Sequence, residues 1–329
     1  MYTGKRQIEL QTIELPPPAP GEVRVKTLKT MISIGTEMTL YNREFPAGSR
    51  WEEFADEIHS AGYIGVVEVI GAGSEEHKGL LGKHFATPVQ HQAYANLNAE
   101  YLYPMEYDNL SEEEALFFCL AQIALRGIRR SEVKLGDNAV VYGAGIIGYL
   151  SACFCKICGA DNTFVVDTSE FRLGLLPKDN SIIPINPKKQ EPDEVVKEFT
   201  KGRMADMVFE LTGNHQLIPT EFKVLRDLGK MIIVSSPRGT TEFNFHDLCN
   251  GPSYTIIGSH NKSHPAVETS ADTWTPRRHC ELFFSLVDKG RLNVKNLITH
   301  EFSYKEAGQV YRKISEDRSE YMGVILNWD

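Results

Sequence analysis

The chain has 329 residues, 42% of them hydrophobic and 24% charged, with 26 glycines and 16 prolines. That length suits roughly two domains of about 150 residues each. The apolar content excludes a disordered chain, and glycines without a three-residue period exclude a collagen-like one. A net charge of -9, with basic points no denser than Arg129-Arg130 and Arg277-Arg278, argues against a nucleic-acid partner, because phosphate neutralisation needs a concentrated cationic surface.

The first hundred residues alternate short β-branched runs with turn residues. Leu15 to Gly21, rich in proline, reads as a turn between strands. Glu22 to Lys26 and Gly65 to Ile70 read as strands, the latter running into Gly71-Ala72-Gly73. Ser111, followed by three glutamates and with Glu114 at the third position, predicts a capped helix start whose acidic first turn complements the helix dipole. From Asn138 onward, short apolar runs at Ala139 to Tyr142, Phe164 to Val166, Met207 to Glu210 and Met231 to Val234 alternate with helical segments. Such alternation predicts βαβ units and a parallel sheet. Gly323 to Trp328 reads as a final strand.

Six cysteines, at 119, 153, 155, 158, 249 and 280, form neither a disulfide framework nor a paired CxxC zinc site. They point to a reduced, cytoplasmic setting, and the N-terminal MYTGKRQIEL lacks a signal pattern. Cys153, Cys155 and Cys158 are expected to be small core residues. The stretch Ala139 to Cys155 carries no charge. Its three glycines mark it as buried strand, glycine turn and apolar helix face, and no membrane association is expected.

Within that stretch, Gly143-Ala144-Gly145-Ile146-Ile147-Gly148 is a GxGxxG placed directly after a strand and at the start of a helix. The first glycine permits a tight turn, the second admits a pyrophosphate to the backbone, and the third lets helix pack on strand. The phosphates would sit at the positive end of a helix dipole, with Ile146 and Ile147 in its first turn. Asp167 ends the next strand, 24 positions after Gly143. A carboxylate there accepts hydrogen bonds from ribose hydroxyls and repels a 2′-phosphate, which favours NAD over NADP. Arg172, just past the strand, offsets part of that repulsion. The plainer reading of Asp167 is a turn or cap residue.

These motifs, with Leu135-Gly136-Asp137, Gly65 to Gly71, Ala205 to Gly213, Gly229 to Pro237, Ile298-Thr299-His300 and Tyr304 to Gly308 in this order, resemble the medium-chain dehydrogenase/reductase family, the alcohol dehydrogenase-like enzymes. The resemblance implies an α/β chain. A β-rich GroES-like catalytic domain, residues 1–119 with 263–329, would enclose a doubly wound Rossmann domain, residues 120–262. It also implies a homo-oligomer, dimer or tetramer, paired through the Rossmann sheet edge.

Zinc enzymes of the family carry a Cys-Gly-Thr/Ser-Asp segment and a Gly-His-Glu segment. Here the corresponding positions read Ile34-Gly35-Thr36-Glu37 and Ser60-Ala61-Gly62, and Cys119 alone falls near a third ligand position. One thiolate does not hold a catalytic zinc, which needs about three protein ligands, so no metal is expected. His59 is the one alternative ligand, reached only by a loop shift. Ser33 to Glu37 with Gly62-Tyr63 is similar to a zinc-free subgroup that includes bacteriochlorophyllide dehydrogenases.

Without zinc, side chains must handle the substrate proton. Thr36 matches the family position whose hydroxyl bonds the substrate oxygen; its plainer reading is a strand hydroxyl bonded to backbone. Glu37 matches an acidic position that orients a zinc-bound histidine, and is read either as a loop anchor or as an acid–base group. Tyr63 replaces a ligand-bearing segment and can donate to a carbonyl oxygen, or simply pack beside Gly62. His91 lies where the family lines its substrate pocket and, titrating near neutrality, is the natural proton shuttle; its plainer reading is a surface or satisfied polar histidine. Leu211, Thr212, Ser235, Ser236, Pro237, Ser259 and His260 follow the carboxyl ends of the parallel strands, where the resemblance implies contact with the nicotinamide end. Arg277 and Arg278 are read as a basic, exposed helix start, the alternative being contact with an anionic substrate.

The expected activity is NAD-dependent, zinc-independent interconversion of a secondary alcohol and a ketone on a polar small molecule such as a polyol, cyclitol or sugar derivative. Two alternatives stand beside it: an NADPH-dependent enone or quinone reductase, and a catalytically idle NAD-binding protein.

Overall fold

The computed structural model describes residues 1–328. It divides into two compact units, Met1–Cys119 together with the chain from Cys280 onward, and Leu120–His279. The return to the first unit comes at Cys280, beyond the position near 263 that the family resemblance implied, so residues 263–279 belong with the second unit.

Among the described residues of the first unit, seven strands form a mixed sheet. Its spine is the strand Glu22–Ile32, in which Val23, Val25 and Thr27 alternate inward, the two-residue period of a strand with one buried face. Gly65–Ala72 and Gly323–Asn327 pair with it antiparallel on either side, and Tyr94–Asn98 adds a further antiparallel partner. Ile298–Ser303 runs parallel to Gly323–Asn327. The proline-rich stretch before the spine is irregular and turns only at its end, where the Glu22 N–H donates to the Ala19 carbonyl at 2.9 Å; the Asn96 amide and the Arg24 guanidinium both donate to its Pro16 carbonyl, the former at 2.9 Å. One face of the sheet is closed by the helices Ile34–Asn42 and Ala307–Glu316, where Met38, Tyr41, Val310, Tyr311 and Ile314 pack on Ile32, Val324 and Leu326. Ser111 starts the helix Glu112–Ala115 with the expected reciprocal capping box.

The second unit is a six-stranded parallel sheet. In space the strands run Ile182–Ile185, Asn162–Val166, Asn138–Tyr142, Ala205–Glu210, Leu225–Ile233 and Thr255–Gly258. Numbered within this unit the order is 3-2-1-4-5-6, the doubly wound arrangement whose direction reverses between the first and fourth strands. Burial explains why the strands read as continuous apolar runs: Asn138–Tyr142 is buried along its whole length. Val140, Phe164, Val166, Val208, Phe222 and Met231 form the core on one face. No helix among the described residues is long and apolar enough to cross a membrane.

Candidate functional site

The nucleotide signal forms a tight turn where the sheet reverses. Gly143 leaves the strand with φ +100 and donates its N–H to the Val166 carbonyl at 2.8 Å. A Cβ on Gly143 would meet the Leu211 carbonyl at 3.1 Å, and one on Gly148 would fall 1.8 Å from the Gly143 oxygen. These two glycines are therefore required by the protein's own packing. Gly145 differs, since a Cβ there would meet nothing within 4 Å. It precedes the twelve-residue helix Ile146–Ile157, and no side chain caps that helix start. Open space above uncapped, forward-pointing N–H groups is the shape a pyrophosphate fills. Ile146 is buried and Ile147 half-buried in the first helical turn.

Asp167 stands beside this turn. Its Oδ2 accepts from the Ala144 N–H at 2.7 Å and its Oδ1 from the Ser169 N–H at 2.8 Å. The carboxylate thus acts as a cap that ties the glycine turn to the next strand. A carboxylate has about four acceptor sites, so two remain for ribose hydroxyls. Arg172 lies in the short helix Glu170–Gly174 that follows, half-buried, its N–H on the Ser169 hydroxyl at 3.3 Å.

At the carboxyl ends of the fourth to sixth strands, Glu210 organises the loops. Fully buried, it accepts from the N–H groups of Thr212 and Gly213 at 2.7 and 2.9 Å, from the Thr212 hydroxyl at 2.6 Å, and from the Ser235 hydroxyl. Leu211 continues the pairing through its N–H to the Tyr142 carbonyl at 2.9 Å. Ser236 and Pro237 follow Ser235, half-buried. Ser259 is 2% exposed, and its hydroxyl has no hydrogen-bond partner. An unspent buried hydroxyl at a strand end suits a polar ligand group. His260 is exposed instead, and its Nδ1 accepts from the Lys262 N–H at 3.1 Å as a cap. Together, the open Gly145, the uncapped helix start, the spare acceptors of Asp167 and the orphaned Ser259 hydroxyl fit a dinucleotide.

One acid in this unit escaped the sequence reading. Glu221 is fully buried with neither carboxyl oxygen hydrogen-bonded, and burial, followed by the charge of Glu210, pushes it up to about 9. The apolar texture around Ile218 and Phe222 gave no sign that a carboxyl would be enclosed there.

The first unit gathers the other candidates. Thr36 and Glu37 lie not on a strand but in the first turn of the helix Ile34–Asn42. Glu37, 1% exposed, bends back so that Oε1 accepts from the Ser33 N–H at 2.7 Å. Its Oε2 meets His91 Nε2 at 3.1 Å and also accepts from the Tyr311 hydroxyl. Tyr63 and Ser33 share a hydroxyl–hydroxyl hydrogen bond of 2.6 Å, and the Thr36 side chain lies near the phenol. Burial, followed by the nearby Cys119, raises the Tyr63 phenol, which stays protonated and able to donate. Burial, followed by Glu37, likewise raises Tyr311. Thr36, Glu37, Tyr63 and His91 therefore form one cluster. Tyr311, from the helix Ala307–Glu316, joins it across 274 residues of sequence, a distance over which no local pattern signals contact.

Gly62 explains how His91 comes to be there. With φ +87 its Cβ position is occupied, within 2.6 to 2.7 Å, by the His91 ring and backbone nitrogen. A side chain at position 62 and the imidazole at its present place exclude one another. A zinc donor set does not assemble from the expected positions: Ile34 and Ala61 have no ligating atoms, Gly62 has no side chain, and His59 is exposed. Cys119 is enclosed, with burial pushing its thiol to about 12, so it remains a thiol at neutral pH. Among the described residues, those at the expected positions do not fit the metal.

Elsewhere, Cys153 and Cys155 are buried as expected, but Cys158 is exposed. Arg278 is no loose surface charge: with Arg129 it stacks on the Trp274 ring, at 4.2 and 3.5 Å from the centroid, and donates to the Thr273 carbonyl at 3.1 Å. Such cation–aromatic stacking fixes the segment locally.

Residues 147–274 match the family model described as zinc-binding dehydrogenase. A curated relative from Escherichia coli, an uncharacterized zinc-type alcohol dehydrogenase-like protein, is 24% identical over 66% of this chain and 58% of its own length. The chain thus spans less than two thirds of that relative. L-Threonine 3-dehydrogenase from Pyrococcus furiosus is 25% identical over 92% of each chain. Among solved structures, an Escherichia coli protein described as a short chain alcohol dehydrogenase complexed with NADH superposes with a TM-score of 0.76 at 17% identity, covering 98% of this chain and 96% of that one. The expected α/β architecture, GroES-like and Rossmann, is the fold of this chain, and its relatives include dehydrogenases.

Proposed function

We propose that the chain is an alcohol dehydrogenase-like oxidoreductase of the medium-chain family that uses NAD, without catalytic zinc, to interconvert a secondary alcohol and a ketone on a polar small molecule such as a polyol, cyclitol or sugar derivative. The observation that carries this reading is the Gly143–Gly148 turn, in which two glycines are consumed by packing while Gly145 is left open beneath an uncapped helix start. Gly145, Ile146 and Ile147 would take the pyrophosphate, Asp167 the adenosine ribose, and Leu211, Thr212, Ser235, Ser236, Pro237 and Ser259 the nicotinamide end. The bound nicotinamide supplies hydride exchange with the carbinol carbon.

The chain's own residues then handle the oxygen and its proton. Tyr63, held protonated by burial, donates to the substrate oxygen in place of a Lewis acid. His91 takes the hydroxyl proton, Glu37 holds the imidazole, and Thr36 relays through its hydroxyl. That the Pyrococcus relative is a dehydrogenase of a small polar hydroxy compound supports the substrate class. The exposed edge strand Thr255–Gly258 supports pairing of two copies through this sheet.

The test titrates the purified chain with NADH and NADPH by fluorescence, then assays secondary alcohols after exhaustive chelation with zinc content measured. The expected result is tighter NADH binding and polyol oxidation that survives chelation. Failure to bind either coenzyme overturns the reading. Activity that disappears with zinc overturns the metal-free mechanism, and NADPH preference with enone reduction replaces the reaction.

A further inference from the structure

We infer that Tyr311 is a positioning residue that, through Glu37, fixes the tautomer of His91 and leaves its Nδ1 as the atom that accepts the substrate proton. This rests on the dehydrogenase reading and specifies which nitrogen acts.

Glu37 receives three donors: the Ser33 N–H on Oε1, and the Tyr311 hydroxyl and His91 Nε2 on Oε2. A carboxylate only accepts hydrogen bonds, so the neutral imidazole facing it carries its proton on Nε2. Nδ1 is then the bare nitrogen. It is buried and has no hydrogen-bond partner. An unsatisfied buried acceptor is unfavourable, a cost that the free protein carries and a substrate hydroxyl would offset. The ring cannot easily turn to relieve it. His91 N donates to the Ala61 carbonyl at 2.8 Å, and the ring lies against the bare Cα of Gly62.

Tyr311 is the piece that makes this arrangement definite. Its ring stands nearly perpendicular to that of His91, at 85° and 6.4 Å between centroids. Its hydroxyl occupies the same carboxylate oxygen as Nε2, so Glu37 is held from a second direction. In the forward step the substrate O–H bond breaks, its proton forms a new N–H bond with the Nδ1 lone pair, and the O–H electron pair stays on the substrate oxygen. In the reverse step the imidazolium returns the proton from Nδ1.

The experiment is ¹⁵N NMR on the full-length chain labelled at histidine, with His91→Asn identifying the resonance, alongside kinetics of Tyr311→Phe and Glu37→Gln. The free protein should show Nδ1 bare and Nε2 protonated at His91. Tyr311→Phe should lower kcat about tenfold while the KM for NAD changes by less than about twofold. Glu37→Gln, which can turn an amide N–H toward Nε2, should move the proton to Nδ1 and lower kcat by about 10²-fold or more. A His91 protonated at Nδ1 in the wild-type chain overturns the inference, and so does an unchanged kcat in Tyr311→Phe. The tautomer is measured without substrate, so failure of the dehydrogenase reading leaves it intact and is separately recognised. If Glu37→Gln does not fold, the wild-type spectrum and Tyr311→Phe still decide.

Discussion

Glu221→Gln gives the sharpest energetic test of the parallel-sheet unit. In the native chain the Glu221 carboxyl is enclosed without a hydrogen-bond partner and is raised from its ordinary 4.5 to about 9 by burial, then by Glu210. The folded form therefore keeps a proton that the unfolded chain releases above about pH 4.5. Stability falls as pH rises from there until the folded carboxyl itself ionises near 9, with a slope of about 1.4 kcal/mol per pH unit. Glutamine has no proton to release. The difference in unfolding free energy between Glu221→Gln and the wild type should grow by about 3 kcal/mol between pH 5.5 and pH 8 in favour of the variant. At pH 5.5, one unit above the ordinary carboxyl value, the variant should already lead by about 1.4 kcal/mol, because the amide is buried as incompletely satisfied as the protonated acid was. Urea titrations of both chains at the two pH values measure it. A difference that does not depend on pH would show that Glu221 is ionised or solvated in the fold and would refute the reasoning.

Four other substitutions probe the two sites. Gly145→Val should leave circular dichroism and melting nearly unchanged but weaken NADH binding by at least about tenfold, since its side chain points into open space, whereas Gly148→Ala should destabilise the fold itself by driving a methyl into the Gly143 carbonyl. Equal loss of stability in both would contradict the assignment of the open position. Gly62→Ala should displace His91, costing about 1–3 kcal/mol in denaturant titration and most of kcat, with coenzyme affinity retained; full activity would exclude His91 from the chemistry. Asp167→Ala should erode discrimination against NADP and, by freeing the Ala144 and Ser169 N–H groups, cost about 1–3 kcal/mol of stability; an unchanged coenzyme preference would leave Asp167 as a cap alone.

What was legible in the sequence was whatever depends on neighbours along the chain. The Ser111 capping box, the strand before Gly143 and the packing role of Gly148 follow from local geometry, and each appears as expected. Asp167 was half legible: its place at a strand end was clear, but its grip on the Ala144 N–H depends on how the turn folds back across 23 positions. Thr36 misled toward a strand because Ile32 and Ile34 flank Ser33 with β-forming residues, whereas Glu37 closes a helical first turn onto the Ser33 N–H. Tyr311 and Glu221 were not legible, since a buried phenol or carboxyl looks in sequence like any amphipathic helix residue. The exposure of Cys158, one helical step past the buried Cys155, likewise depends on where the helix ends.

The route of the backbone also constrains how the molecule can be made. The spine strand Glu22–Ile32 takes one of its flanking partners from Gly323–Asn327, while every strand of the parallel sheet lies between residues 138 and 258. On the ribosome, the inner unit has all its strands long before the outer one does. The first hundred residues must wait, with only the Lys29–Ile32 end of their longest strand lacking a partner on one side, for Gly323–Asn327 to emerge. Truncations near the C-terminus should therefore spare the inner sheet and leave the opening residues prone to aggregate.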